Sequence, residues 1–591
     1  LYKIMPIRKR NCSSGLTIMS MRPRFSLLHR RRGHDSNVST DDFLPLSCDE
    51  RPSSKRRARS SIQNSSFTKS ILAFSLGMLA FVFSLSLLRN SDKSIPIHMK
   101  FLASASSGIQ LYDAVIVGSG WAGITAAKAL LKDEVENILV LEAQDYIGGR
   151  SKSVNLDGSI NSPSMHGNFT NIPIDMGSEW LYAKSALEGN LIRGGHLKGI
   201  DTSKKRTLPV PPFVDSPFYL QTLVQGNEEN IYSADTLKTE RLEDGKAKDL
   251  YERVWGGFLE YVKEYRKSLG EQSYGGVAEK YKEEKLTSDV DVQFINLAMA
   301  SSEVDYAGGR NELSIFSVGD MSSTHYMSVP GVGYGNTAAK FAAPLAHKIH
   351  LKSKVTEIDY SDPNNVIVTF VRNGVESKVM AKTVLVTVSL GVLKAGNIKF
   401  TPSLPAWKQE AIDGMGFGVM DKCVMQWNNP DAAVWPDKEW IELITPKGEN
   451  SGKWTTFFNP TSYKGVPMLV GWIAAENARY METQTDEEVL SDTMAKLKAM
   501  FPTITPPDRC IISRWGSEEN VLGTYSFKII GRNFRDDSRQ LQKTVENVWF
   551  AGEATDGGWY GTVNGACRSG EAAAKGMLEE LLASSPARSA S

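Results

Sequence analysis

Apolar residues in this chain fall in short blocks bounded by glycine or acid, with one long exception. The run Ala114–Val117 has the length and composition of a buried strand. It meets Gly118-Ser119-Gly120-Trp121-Ala122-Gly123, after which Ala126-Ala127-Lys128-Ala129-Leu130 continues as a helix. A second run, Ile138–Leu141, ends in Glu142. Within Asp249–Leu269, Val254, Phe258, Val262 and Tyr265 recur near helical spacing. Strand patterns return at His350–Ile358, Val366–Phe370 and Thr383–Val388, and the chain closes with Val548–Thr555 and a final helix. The exception is Ile71–Leu88, an uncharged apolar stretch just long enough to cross a bilayer.

The first blocks together make a strand, glycine turn, helix, strand, acid unit at the spacing of a dinucleotide-binding fold. Gly118 permits the tight turn, Gly120 lets backbone approach a pyrophosphate, and Gly123 lets the helix lie close to the strand. The helix N-terminus offers N–H groups and partial positive charge to phosphates. Glu142 accepts hydrogen bonds from a ribose diol.

At 591 residues, with 41% hydrophobic and 23% charged positions, the chain has an ordinary globular composition and is large enough for more than one domain. The net charge of +1 hides a basic tail over residues 1–70, which includes Arg30-Arg31-Arg32 and reads as disordered. Basic residues before an apolar span predict a signal anchor at 71–88, a cytosolic tail and a lumenal or extracellular remainder. Cleavage near Ala103-Ser104-Ala105, with secretion or organelle targeting, is the alternative. Nucleic-acid binding is a weaker use for that charge. The five cysteines, Cys12, Cys48, Cys423, Cys510 and Cys567, match no zinc spacing, so no metal is expected. Asn168-Phe169-Thr170 is a sequon that matters only in a secretory lumen.

The segment just after Glu142 separates FAD from NAD. Gly148-Gly149-Arg150 completes an E-x(5)-GGR pattern that resembles the second signature of the flavin-containing amine oxidase family, which includes polyamine oxidases and the lysine-specific histone demethylase. By that resemblance Arg150 touches the FAD pyrophosphate. Gly177-Ser178-Glu179-Trp180 resembles the family's segment beside the flavin ring. Tyr182 stands where relatives often carry an acid or histidine, which departs from the pattern for diamine recognition. Val355 matches the valine whose backbone pairs with adenine. Lys422, in a G-x-G-x-x-x-K context, matches the lysine that holds a water against flavin N5. Burial at the start of an apolar strand would favour its neutral form. Arg514-Trp515 and Gly523-Thr524-Tyr525-Ser526 resemble further family segments, and by that resemblance Trp515 packs on the flavin and Tyr525 forms one wall of an aromatic cage. Val548–Thr555 and Gly561–Gly570 resemble the family's closing FAD segment, which implies that Glu553 binds the ribityl and phosphate region, that the Val563 amide faces the flavin N1–C2=O edge, and that Thr562 takes the second cage position. Asn564 replaces a histidine common in the branch. No cysteine sits where monoamine oxidases attach FAD, so noncovalent FAD is expected.

The resemblance spans about Tyr112 to Leu582. It implies an α/β architecture: a doubly wound, Rossmann-like FAD domain (112–203, 325–405 and 513–585) with an inserted α+β substrate-binding domain (204–324 and 406–512), after a linker at 89–111. It implies oxidation of a small-molecule amine, with a hydride passing to flavin N5, hydrolysis of the imine to aldehyde plus amine, and reduction of O2 to H2O2. Polyamines are the first expectation. Glu303, Asp305 and Glu312 could draw a cationic amine, although solvated surface acids are the plainer reading. Oxidation of another amine or an L-amino acid would need an arginine clamp, for which Arg310 is the loop candidate. A membrane-tethered flavin-binding protein without turnover is the non-enzymatic alternative. The membrane segment and the lack of a long helical-hairpin insertion disfavour a chromatin demethylase.

Overall fold

The computed structural model describes residues 109–155, 172–182, 207–208, 217–224, 236–268, 270–317, 326–328, 333–446 and 451–583. The basic tail, the Ile71–Leu88 stretch, Ala103-Ser104-Ala105 and the sequon lie outside the described residues. Among the described residues no helix is long and apolar enough to cross a membrane.

The elements that build the site are, in chain order, β1 (Leu111–Val117), α1 (Trp121–Lys132), β2 (Ile138–Leu141), β3 (Phe218–Val224), β4 (Thr236–Arg241), α2 (Asp289–Tyr306), β5 (Ile349–His350), β6 (Ser353–Asp362), β7 (Asn365–Arg372), β8 (Val375–Val386), β9 (Lys399–Thr401), β10 (Met420–Gln426), β11 (Trp440–Ile444), β12 (Thr456–Phe458), β13 (Met468–Ala474), β14 (Arg509–Ile512), β15 (Val548–Phe550) and α3 (Val563–Ala583).

The first sheet runs β5-β2-β1-β8-β7-β6-β9, with β15 also against β8. Strands β5, β2, β1, β8 and β15 pair in parallel, and β8 extends on to carry the antiparallel β7 and β6. Parallel strands covered on both faces must be apolar throughout, which is why Ala114–Val117 and Ile138–Leu141 carry no polar residue. Alternation still sorts the faces. Ala114 and Ile116 pack against α1 and α3, whereas Val115 and Val117 pack against Val355, Ile358, Val366 and Val368. The helix layer is tight: a Cβ on Gly570 would stand 2.3 Å from the Ala122 carbonyl oxygen.

The second sheet runs β14-β10-β13-β12-β11-β3-β4 and draws its strands from 218–241 and 420–512. Its β3 and β11 pair in parallel although more than two hundred residues separate them. The helix expected over Asp249–Leu269 is present but interrupted. A π-helical turn, Tyr251–Trp255, separates Asp244–Leu250 from Gly256–Ser268. At this turn the Tyr281 hydroxyl donates to the Val254 carbonyl at 3.1 Å, and a Cβ on Gly257 would sit 2.5 Å from that hydroxyl. Helix α2 ends against β10's approach, where a Cβ on Gly418 would fall 1.4 Å from the Ala307 carbonyl oxygen.

Candidate active site

One cavity of about 560 Å³ reaches from the β1–α1 turn to the second sheet. At its first end the three glycines divide the work. Gly118 holds φ at +105°, a conformation suited to glycine, and a Cβ there would meet Thr387 Oγ1 at 2.7 Å. A Cβ on Gly123 would lie 2.0 Å from the Gly118 carbonyl oxygen, so α1 rests directly on the turn. A Cβ on Gly120 would meet nothing within 4 Å; its backbone faces open cavity instead. No side chain caps the start of α1, which leaves its amide groups to a ligand.

Glu142 also faces this end. One carboxylate oxygen accepts from the Ser119 amide at 2.6 Å and hydroxyl at 2.8 Å; the other accepts from the Gln144 amide at 2.8 Å. Burial raises its pKa, and the hydrogen bonds from Gln144 and Ser119 act in the opposite direction. Arg150 and Glu553, distant in sequence, meet as an ion pair at 2.9 Å. Glu553 further accepts from Ser526 Oγ at 2.6 Å and the Gly561 amide at 2.7 Å, and Arg150 donates to the Thr524 carbonyl at 2.6 Å. Val355 lines this end from β6, and Val563 lines the middle as the first residue of α3. An open glycine backbone, an uncapped helix start, a carboxylate placed for a diol and a second helix start fit a flavin dinucleotide.

Lys422 stands behind the cavity wall. It is only 1% exposed, and its Nζ donates to the carbonyls of Asp175 at 2.9 Å and Gly177 at 3.0 Å and to Glu179 Oε2 at 2.9 Å. The same Nζ lies 4.6 Å from the ring centroid of Trp472, its direct partner across β10 and β13. A carboxylate and two carbonyls thus surround the amine nitrogen in place of the water that burial removes. Gly177, Glu179 and Trp472, not Lys422, form the wall. Nearby, Asp421 Oδ1 accepts from Ser513 Oγ at 2.7 Å and the Trp515 amide at 3.0 Å, while the Trp515 indole donates to the Met176 carbonyl at 3.0 Å. Trp515 is thus fixed from both sides.

The far end is aromatic and carries an acid. Tyr251 and Trp255 reach it from the π-helical turn, Trp440 and Trp472 from the second sheet, and Tyr525 from its loop. The Tyr525 hydroxyl donates to the carbonyls of Val304 at 2.8 Å and Asp305 at 3.1 Å, which ties the ring to the last turn of α2. Asp305 is exposed at the end of α2 and lines the cavity. Desolvation pushes its carboxyl up to about 7. Glu303, by contrast, is taken: it accepts from Arg310 Nε and Nη2, both at 2.8 Å. Glu312 lies outside the wall and pairs with Arg479 at 3.7 Å.

Of the residues singled out from the sequence, Gly118, Gly120, Glu142, Arg150, Val355, Trp515, Tyr525, Glu553, Thr562 and Val563 share this one cavity. Gly123 supports it from beneath the turn. Thr562 caps α3 by accepting from the Gly565 amide at 3.1 Å while its hydroxyl donates to the Trp559 carbonyl at 2.6 Å. Tyr182 belongs to a short strand, Trp180–Tyr182, paired with Tyr326–Ser328; the side chains of both strands lie outside the described part. Sequence reading assigned no role to Glu179, Trp440, Trp472, Tyr251 or Trp255. Glu179 had a visible signal, an acid inside the glycine–tryptophan segment. The tryptophans had none, because their role depends on which strands become neighbours.

Comparison with known proteins agrees with this geometry. A family model described as flavin containing amine oxidoreductase matches residues 121–578. Polyamine oxidase 4 of Oryza sativa subsp. japonica is 29% identical over 483 residues, 79% of this chain and 89% of that protein. Polyamine oxidase 2 of Arabidopsis thaliana is 28% identical over 509 residues, 84% of this chain and 94% of that protein. Among solved structures, wild-type putrescine oxidase bound to putrescine shares the fold at a TM-score of 0.57 and 17% identity, covering 79% of this chain and 99% of that one. With a Rossmann-like sheet, a second sheet closing one shared cavity and the family match over most of its length, the chain belongs to the flavin containing amine oxidoreductases and is an FAD-dependent amine oxidase.

Proposed function

We propose that this enzyme oxidises polyamines of the spermine or spermidine type, acetylated forms included. The products are an aldehyde and a shorter amine after imine hydrolysis, with O2 reduced to H2O2. Noncovalently bound FAD supplies the two-electron oxidation. The observation that carries the substrate reading is Asp305, an acid that lines the aromatic end of the cavity. Its carboxylate attracts a positively charged nitrogen remote from the bond being broken, and the faces of Trp440, Trp472 and Tyr525 stabilise cationic methylene-linked nitrogens. Desolvation makes that pairing stronger than it would be in water.

The same reading gives the other residues their roles. Gly120 and the start of α1 hold the pyrophosphate, and Glu142 holds the adenosine ribose. Arg150 balances the phosphate charge while paired to Glu553. The Val563 amide and the dipole of α3 stabilise negative charge beside the ring. Lys422 fixes the 175–179 segment and pairs with Glu179 at the wall. The pairing of Arg310 with Glu303 counts against a carboxylate clamp, and so favours polyamines over amino acids. Purified enzyme given spermine, spermidine and their acetylated forms is expected to release peroxide and an aldehyde. Silence across that panel overturns the substrate assignment.

We also propose a membrane anchor at Ile71–Leu88, with the catalytic unit lumenal or extracellular, from the apolar stretch and the basic residues before it. Retention of the full chain in the membrane pellet after carbonate extraction is expected; release into the supernatant contradicts it.

A further inference from the structure

Cys423 and Cys510 bring their sulfurs to 3.5 Å. They lie on the adjacent antiparallel strands β10 and β14, on a diagonal, since Cys423 stands opposite Ile512 and Cys510 opposite Met425. Both are free thiols, Cys423 fully buried and Cys510 half-buried. Amine oxidation uses neither. Yet Cys423 directly follows Lys422, and β14 leads straight to Trp515.

We infer that this pair is a dithiol that hydrogen peroxide converts to an intramolecular disulfide. The hydrogen bond with Cys510 and burial both push the Cys423 thiol up, so the more accessible Cys510 reacts first. The Cys510 thiolate attacks one peroxide oxygen and the O–O bond breaks. The departing hydroxide takes up the thiol's proton as water, leaving a sulfenic acid on Cys510. The Cys423 sulfur then attacks the sulfenic sulfur, and the hydroxyl leaves as a second water with the Cys423 proton. Two thiols and one peroxide become one disulfide and two waters. A disulfide needs about 2.05 Å between sulfurs, so they must close by about 1.5 Å. Strand β14 is at the sheet edge and pairs with β10 alone within it, so it can shear to allow this. The shear acts where the Ser513 amide donates to the Lys422 carbonyl at 3.0 Å and the Lys422 amide donates to Ser513 Oγ at 2.9 Å.

The test exposes the full-length holoenzyme to a few equivalents of hydrogen peroxide, blocks remaining thiols with N-ethylmaleimide and maps peptides by mass spectrometry. We expect one peptide pair joined through Cys423 and Cys510, two hydrogens lighter than the reduced pair. It should be lost on treatment with dithiothreitol and absent from C510S. Maleimide label on both residues after peroxide treatment overturns the inference, as does a link from either one to Cys12, Cys48 or Cys567.

Discussion

The two ends of the cavity are made of different material. The cofactor end is mostly backbone: a glycine turn, two helix starts, and a few charged side chains pinned by amides. The amine end is side chains, rings from a π-helical turn and from two strands of the second sheet, around the carboxyl of Asp305. Phosphates are recognised where side chains are absent, because amide groups must come close and a single Cβ blocks them. On the proposed reading, a cationic chain is recognised where side chains are large, because ring faces and an acid must surround it. The first end is therefore brittle to added atoms, and the second is sensitive to lost charge.

That contrast orders the predictions. Gly123→Val should have the largest effect, because its Cβ has no room beside the Gly118 carbonyl. Overpacking of this kind costs about 3 kcal/mol or more, and the expected outcome is soluble protein stripped of visible flavin absorbance, or no soluble protein. Lys422→Met comes next, since it leaves Glu179 at the buried wall without its cation, at a cost of about 3–5 kcal/mol. Thermal unfolding should show that loss. The double variant Lys422→Met/Glu179→Gln should regain most of the stability and still turn over slowly, which separates the structural part of the pair from its part in the reaction.

Asp305→Asn should leave flavin content intact and lower kcat/KM for polyamines by about 30-fold or more, the range for losing one member of a desolvated charge pair. In the parent enzyme the Asp305 contribution to kcat/KM should grow as pH rises through about 7 and its carboxyl ionises; the variant should lack that limb. Stability has the opposite sign. A carboxyl raised from its ordinary 3.8 to about 7 takes up a proton on folding between those values, so stability falls as pH rises across that window. The Asn variant should be flatter there and at least as stable above it. Tyr525→Phe should be the mildest change, a loss of about 1 kcal/mol with the hydroxyl's bonds to the α2 carbonyls, read as a KM a few-fold higher.

The same contrast explains how much could be read from the chain. The cofactor end is built from local spacing, so Gly118, Gly120, Gly123 and Glu142 carry their roles in the sequence itself. Arg150 and Glu553 were recognisable as separate motif residues, but nothing in the sequence says that they pair with each other. Lys422 was findable by its motif, whereas its partner Glu179 depends on how the 175–179 segment folds over β10. Trp472 stands opposite Lys422 only because β13 is β10's neighbour. The helix over 249–269 was visible in its apolar spacing; its π-helical turn was not, and the hydroxyl that meets the turn at the Val254 carbonyl comes from Tyr281, outside that stretch. Asp305 looked like one acid among three, and only packing separates it from Glu303 and Glu312.

The central claim is that a carboxylate in an aromatic cavity selects amines bearing a second positive charge. The most direct measurement is anaerobic bleaching of the bound flavin, in the parent enzyme and in Asp305→Asn, by spermine and by a simple monoamine. The account predicts that spermine bleaches the parent far faster than the monoamine does and that this advantage collapses in the variant. Equal preference in the two proteins, or an unbleached flavin with spermine, contradicts it.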